Sequence, residues 1–294
     1  MKRTTCAWFI MLPSFIYLFA VIIIPWLYSI YLSFTDLSYT TPGSGKFVWD
    51  AEYVKVFADP KLYSSLFKSL ILMIPALLLQ MILGLLIAWG FYSLGTGKGV
   101  RILTSVFTLP MLVSSSVVAL SWYFIFHGQW GIVTYILRTL KLIPVGYTIW
   151  SDRNVVLLGY LMVDTWQWLP FSVLIFWAGM NAIPLEVVES ARVNGAKGFF
   201  FFRKILLPGV LPLLAIVLLL RGMDLFKIFD PIYIITYGGP GDASETIHFL
   251  AYRESFRLWN LGYGSTISMI IFFIIEVASA LYVKFFIAGY VYKR

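Results

Sequence analysis

Six stretches of this sequence run for about twenty residues or more with few or no charges, the length at which a helix crosses the ~30 Å hydrocarbon core of a bilayer. They cover residues 7–34, 66–92, 102–126, 155–180, 211–229 and 266–290. Hydropathy of this kind identifies transmembrane helices. Composition agrees: 60% of the 294 residues are apolar and 12% are charged, against about 25% charged in soluble domains. A water-soluble globule could not hide that much apolar surface beneath a polar shell. The 18% aromatic content excludes a disordered chain. The expected fold class is an all-α integral membrane protein with six transmembrane helices, forming one domain over residues 1–294.

The first run follows Lys2 and Arg3, as a signal peptide would. It is too long for a signal core, however, and no small-x-small cleavage site follows it, so it reads as a retained helix. Orientation follows from the basic residues. With the N-terminus inside, Lys2, Arg3, Lys98, Arg101, Arg192, Lys197, Arg203, Lys204, Lys284, Lys293 and Arg294 fall on the cytoplasmic side. The remaining eleven of the 22 basic residues are spread over roughly twice as much chain, so both termini are expected in the cytoplasm. The net charge of +8 is therefore a topology signal, and no clustered basic face points to nucleic acid. With one cysteine, Cys6, and two distant histidines, His127 and His248, neither a disulfide nor a protein-built zinc site is expected.

Prolines punctuate the spans at positions 25, 75, 110, 170 and 212, which implies a packed bundle where neighbours satisfy the freed carbonyls. Ser114-Ser115-Ser116, just after Pro110, suits either a close helix contact or a cavity wall. Charges inside a span are costly and mark a pathway or a partner. In the fifth span Arg221, Asp224, Lys227 and Asp230 recur every third residue, as a winding stripe that allows Arg221–Asp224 and Asp224–Lys227 pairs. The fourth span holds Asp164, Trp166, Gln167 and Trp168, a mixture of hydrogen-bonding groups and aromatic faces suited to a sugar. Asp164, Trp166, Gln167, Arg221, Asp224 and Lys227 are the candidate pathway residues. Glu276 in the sixth span has no evident partner in the sequence and could face another subunit.

Between spans four and five, residues 181–208 read as a helix–Gly–helix elbow. Pro184 suits a first helical position, Glu186 and Glu189 favour the positive N-terminal end, and Gly195 is a natural stop. Leu185, Val188 and Ala191 give the first helix an apolar side, and a second helix is expected over 199–204 before Ile205-Leu206-Leu207-Pro208. Such an elbow could dock into a groove of another protein or lie on the membrane surface, and Phe199 to Phe202 would suit either.

The run Glu189-Ser190-Ala191-Arg192-Val193-Asn194-Gly195-Ala196, followed at the family's spacing by Ile205-Leu206-Leu207-Pro208, resembles the EAA loop of binding-protein-dependent ABC importer permeases. Ser190 stands where Ala is usual and Asn194 where Asp is common. The segment Phe226 to Pro240, with Ser244-Glu245-Thr246, Tyr252-Arg253, Leu12-Pro13 and Pro25, is similar to the carbohydrate-uptake branch. The resemblance implies the type I importer permease fold, with Glu189, Ala191, Asn194, Gly195, Leu207 and Pro208 coupling the elbow to a cytoplasmic ATPase. It further implies a second, related permease as heterodimer partner, two copies of the ATPase and an extracytoplasmic solute-binding protein. The outer loops 36–65 and 238–264 would meet that binding protein.

ATP and Mg would belong to the ATPase, with no cofactor on this chain. Gly95-Thr96-Gly97-Lys98-Gly99 lacks the spacer and the Ser or Thr of a phosphate-binding loop, so no ATP hydrolysis is expected here. The sugar could be replaced by an anion such as a glycerol phosphate, met by Arg221 and Lys227. An ion-coupled secondary transporter using Asp164 and Glu276, and a membrane scaffold protein, are the readings from other classes. No clear internal repeat is visible, against the habit of secondary transporters.

Overall fold

The computed structural model describes residues 11–95 and 97–287. Lys2, Arg3, Cys6, Lys293 and Arg294 lie outside them, as do the first residues of span one and the last of span six. Twelve helices matter here: α1 Met11–Ser33, α2 Ala51–Ala58, α3 Pro60–Leu94, α4 Lys98–Leu112, α5 Ser115–Ile125 and α6 Ile132–Thr139. They are followed by α7 Val156–Asn181, α8 Leu185–Val193, α9 Leu207–Phe226, α10 Asp230–Ile235, α11 Ile247–Tyr252 and α12 Leu261–Tyr282. No strand occurs among the described residues, where Thr35 and Phe47 form an isolated bridge.

Four helical stretches are each long and apolar enough to cross a bilayer: Met11–Ser33, Pro60–Leu94, Gly198–Ile235 and Leu261–Phe286. Two bent pairs, α4 with α5 and α7 with α8, bring the number to six when each counts as one span. Side chains from Met11 to Leu27 on α1 are exposed although nearly all are apolar, a surface that water would not tolerate.

The third span is corrected. Residues 102–126 do not form one straight helix, because α4 and α5 meet at a 93° bend. At 1.5 Å per residue, α4 is about 22 Å long and α5 about 16 Å, so neither crosses alone. Pro110 removes a backbone donor near the end of α4, and Val113 and Ser114 then adopt extended backbone. The fifth span, residues 211–229, lies inside the longer stretch Gly198–Ile235 but is not one unbroken helix. Helix runs back through a wide turn at Phe202–Leu206 to Gly198 and stops at Phe226, before Lys227. Asp230 opens the separate α10, so the four-charge stripe does not lie on one helix.

The chain divides into two compact units, residues 1–64 with 250–274, and residues 65–249 with 275–294. In the first, Thr266 donates its hydroxyl to the carbonyl of Ser33, which ends α1, at 3.0 Å. Gly262 N–H meets the Leu37 carbonyl at 2.9 Å, and Trp26 packs against Phe272. This unit holds a cavity of about 690 Å³ whose walls include Asp36, Glu52, Asp59, Asn260 and Tyr263.

In the second unit the 236–247 segment is pinned. Lys68 donates to the carbonyl and carboxylate of Asp242 at 2.6 and 3.0 Å, and Arg153 donates to the other carboxylate oxygen at 2.5 Å. Tyr160, Thr236 and Ser244 form a hydroxyl chain with 2.7 Å links, and Ile247 N–H reaches the Ser69 hydroxyl at 3.0 Å. The Lys68 hydrogen bond, with the charges of Lys68 and Arg153, holds the Asp242 carboxyl below its ordinary range against an opposing effect of burial. The anchoring is then fully present above the unfolded Asp pKa, about 3.9, and is lost as pH falls through the lower native value. Protection of the amides of residues 238–246, taken relative to the intrinsic exchange rate at each pH, is expected to fall below about pH 4, and Asp242→Asn should give the same loss of protection at neutral pH.

Candidate functional site

The pathway candidates do not form one cluster. Asp164, Gln167 and Trp168 share a face of α7 at i, i+3 and i+4, and Asp164 and Gln167 are buried. Trp166, two residues from Asp164, is turned about 200° around the helix and is exposed. It meets Trp122 of α5 edge-on, with ring centroids 5.9 Å apart.

Asp164 and Arg221, which the sequence offered separately, bind each other. Arg221 Nη2 donates to Asp164 Oδ2 at 2.7 Å, and Arg221 Nε donates to Gln80 Oε1 at 3.0 Å. Gln80 Nε2 closes the ring by donating to the same Asp164 oxygen at 2.6 Å. The guanidinium also stacks on Trp168, 4.9 Å from the ring centre. Arg221 is 2% exposed and Gln80 fully buried. The expected Arg221–Asp224 pair is longer, at 3.8 Å, and Asp224 pairs with Lys227 at 3.6 Å, both side chains about half exposed. A buried pair in good geometry, with its remaining groups hydrogen-bonded, is the arrangement that offsets desolvation. The ring therefore ties α3, α7 and α9 together, and its charges are occupied.

Gln80 was not among the sequence candidates. Its signal was present, since it is the one amide between Ser69 and Leu94 of an otherwise apolar helix.

Gln167 does different work from Asp164. Its Nε2 donates to the Val113 carbonyl at 3.0 Å and lies 3.4 Å from Ser115 Oγ, at the break between α4 and α5. A carbonyl freed at a bend inside a bilayer needs such a donor. Gln167→Leu should cost about 1–3 kcal/mol by stranding that carbonyl, read as a lower thermal midpoint, while Gln167→Glu, which loses the donor but keeps the shape, should cost at least as much.

The elbow begins with α8, set at 75° to α7. Pro184 precedes its first turn with extended backbone, one position outside the place expected for it. The C-terminal end is a Schellman turn: Ala196 N–H bonds the Ala191 carbonyl at 2.9 Å and Gly195 N–H the Arg192 carbonyl at 3.0 Å. Gly195 sits at φ +82°, the left-handed region that favours glycine. The apolar side of α8 is narrower than expected: Val188 is buried and Ala191 half-buried, but Leu185 is exposed.

Val188 and Ala196 pack into a core with Phe201, Phe202, Leu206, Val210, Phe176 and Met180, so the elbow shares its packing with α7 and α9. The four phenylalanines divide, with Phe201 and Phe202 inside and Phe199 and Phe200 exposed. Phe202 stacks on Trp89 of α3 at 4.8 Å. Glu189, Asn194, Gly195 and Pro208 are exposed and Leu207 is half-buried against the core. Val193, at the elbow tip, is 88% exposed. Glu276 is exposed, and the described residues hold no hydrogen bond or ion pair to it.

Residues 80–293 match the family described as binding-protein-dependent transport system inner membrane component. The chain belongs to that family. This permease is 30% identical over 287 residues to the probable ABC transporter permease protein y4oQ of Sinorhizobium fredii, covering 97% of this chain and 91% of that one. It is 31% identical over 239 residues to the trehalose/maltose transport system permease protein MalF of Thermococcus litoralis, covering 81% and 79%. Its fold matches a chain of a bacterial ABC transporter involved in the import of the acidic polysaccharide alginate, with TM-score 0.81, 19% identity and 97% of both chains covered. The permease is thus a mostly helical membrane component of an ABC importer, and family membership sets aside the secondary-transporter and scaffold readings.

Proposed function

We propose that this permease forms half of the pore of an ATP-driven importer that moves a sugar or oligosaccharide into the cytoplasm by alternating access. The observation that carries the reading is the elbow: exposed Glu189, Asn194 and Gly195 at its surface, and Val188 and Ala196 locked into the core of α7 and α9. A load applied to that surface is transmitted to the spans rather than absorbed by a loop. The trehalose/maltose relative supports a carbohydrate substrate. The Trp122–Trp166 pair, Trp166 exposed and Trp122 half-buried, supports it chemically, since aromatic faces suit the apolar side of a sugar ring, with Asp224 and Lys227 as polar neighbours of the path. Arg221 and Lys227, the cations an anionic solute would meet, are each paired with a carboxylate, and this favours a neutral substrate.

In this reading the elbow and both termini are cytoplasmic, and the chain acts as one permease domain. Glu189, Ala191, Asn194, Gly195, Leu207 and Pro208 meet one of two copies of a separate ATPase that binds the ATP and Mg. A related permease supplies the other half of the pore, and an extracytoplasmic binding protein delivers the solute. The test is uptake of labelled maltose, trehalose and longer glucans into vesicles holding the whole transporter and its binding protein. Uptake of at least one that stops without ATP is expected. Uptake that continues without ATP, or is restricted to a glycerol phosphate, overturns the reading.

A further inference from the structure

Helix α6 is inside out for a protein in water. Its exposed positions are Ile132, Tyr135, Ile136 and Thr139, and the exposed Leu140 that caps its C-terminal end continues the i, i+3, i+4, i+7, i+8 spacing, so they form one continuous stripe. The side chain it buries is Thr134, 3% exposed. Apolar exposure continues on both sides, at Trp130, Leu142 and Val145. A soluble helix puts the threonine out and the stripe in, so the stripe faces a medium other than water.

Chain connectivity and packing say which medium. The segment 126–155 joins α5 to α7, and it is fastened to the start of α7. Trp150 is buried between Phe126 and Tyr160, with ring centroids at 5.9 and 5.6 Å. Thr148 donates to the Phe126 carbonyl at 2.6 Å, and Tyr147 donates to Asp152 at 3.0 Å. Being tied to the end of a 26-residue span, α6 sits at the membrane boundary. Its composition suits that level: Trp130 stacks on His127 at 4.1 Å, Arg138 lies over Tyr135, and aromatic and basic side chains are those that populate the headgroup layer. From Phe126 to Ser151 there is no acidic residue, whereas Arg138 and Lys141 are basic.

We propose that α6 is an interfacial helix whose Ile132–Tyr135–Ile136–Leu140 stripe lies in the headgroup region of the leaflet at which α7 begins, held there by contact of Arg138 and Lys141 with lipid phosphate. An apolar face lowered about 5–10 Å into the headgroup boundary is the usual seat of such a helix.

The test uses the whole transporter in vesicles of phosphatidylcholine with phosphatidylglycerol. Cys6 is replaced by serine, and a nitroxide is attached through Ile136→Cys or, separately, Thr139→Cys, both at exposed positions. Collisions with oxygen should exceed those with a water-soluble nickel chelate severalfold at residue 136. A label open to the chelate places the stripe in water, and a label protected from both reagents places it against a protein partner; either result overturns the proposal. Removing phosphatidylglycerol, or introducing Arg138→Gln with Lys141→Gln, should raise chelate access at residue 136 severalfold. Unchanged access in both arms overturns the role given to lipid phosphate.

Discussion

Replacing Arg221 by methionine is expected to destabilise the permease by about 3–5 kcal/mol, the largest effect of any single side chain described above. Methionine fills a similar volume, so the loss is not a cavity effect. It leaves Asp164 as a buried carboxylate whose one remaining side-chain donor is Gln80. Asp164→Asn leaves Arg221 charged and buried against Trp168 and Gln80, with a weaker acceptor in place of the carboxylate. It should cost less than Arg221→Met, because the asparagine carbonyl still accepts one hydrogen bond. The double variant should recover much of the loss, since it removes both charges together. Thermal unfolding in detergent or lipid for the two singles and the double supplies the comparison. Strict additivity of the two losses would show that the pair is not coupled.

The second large effect concerns transport rather than stability. No atom outside the adjoining residues lies within 4 Å of where a Gly195 side chain would begin, so the chain itself has room for a larger residue. The left-handed backbone is what glycine supplies, and an ordinary residue there costs about 1–2 kcal/mol. Gly195→Trp should therefore fold with a modest loss of stability while filling space that the proposed ATPase contact needs. Uptake should fall about a hundredfold or more, if the contact loses roughly 3 kcal/mol, and ATP hydrolysis should no longer respond to solute. Gly195→Asn separates the causes, because asparagine tolerates φ > 0 far better than tryptophan. If asparagine and tryptophan reduced uptake equally, steric exclusion at the elbow would not be the explanation. Val193→Asp, at the most exposed apolar position of the elbow, should weaken the same contact without disturbing the Schellman turn.

What the sequence made legible was what is written locally. The helix–Gly–helix form of residues 185–206 follows from signals a few residues apart: Pro184 ahead of the first turn, Gly195 past the last, a basic last turn at Arg192. Hydropathy placed α3 and α7 close to their observed positions for the same reason. The Gln80–Asp164–Arg221 ring was illegible because its members are 57 to 141 residues apart, and three-residue spacing on α9 favoured the nearer Asp224. Trp166 and Gln167 looked like one site because they are neighbours in sequence, yet adjacent helical residues face different ways. The α4–α5 bend was half legible. Pro110 and the serine run were conspicuous, but a kink and a right-angled break carry the same proline signal, and the donor that makes the break tolerable comes from Gln167 on another helix.

The unbroken helix from Gly198 through Phe226 makes the elbow one end of a lever. Arg221 lies 23 residues from Gly198, about 35 Å at the α-helical rise. A tilt of about 5° pivoting near the elbow would swing the guanidinium by ~3 Å across that length. Its 2.7 Å bond to Asp164 survives only a few tenths of an ångström of stretch. A rotation of a few degrees would thus decide whether α7 and α9 stay joined, and Arg221 would then act as a mechanical fuse between them.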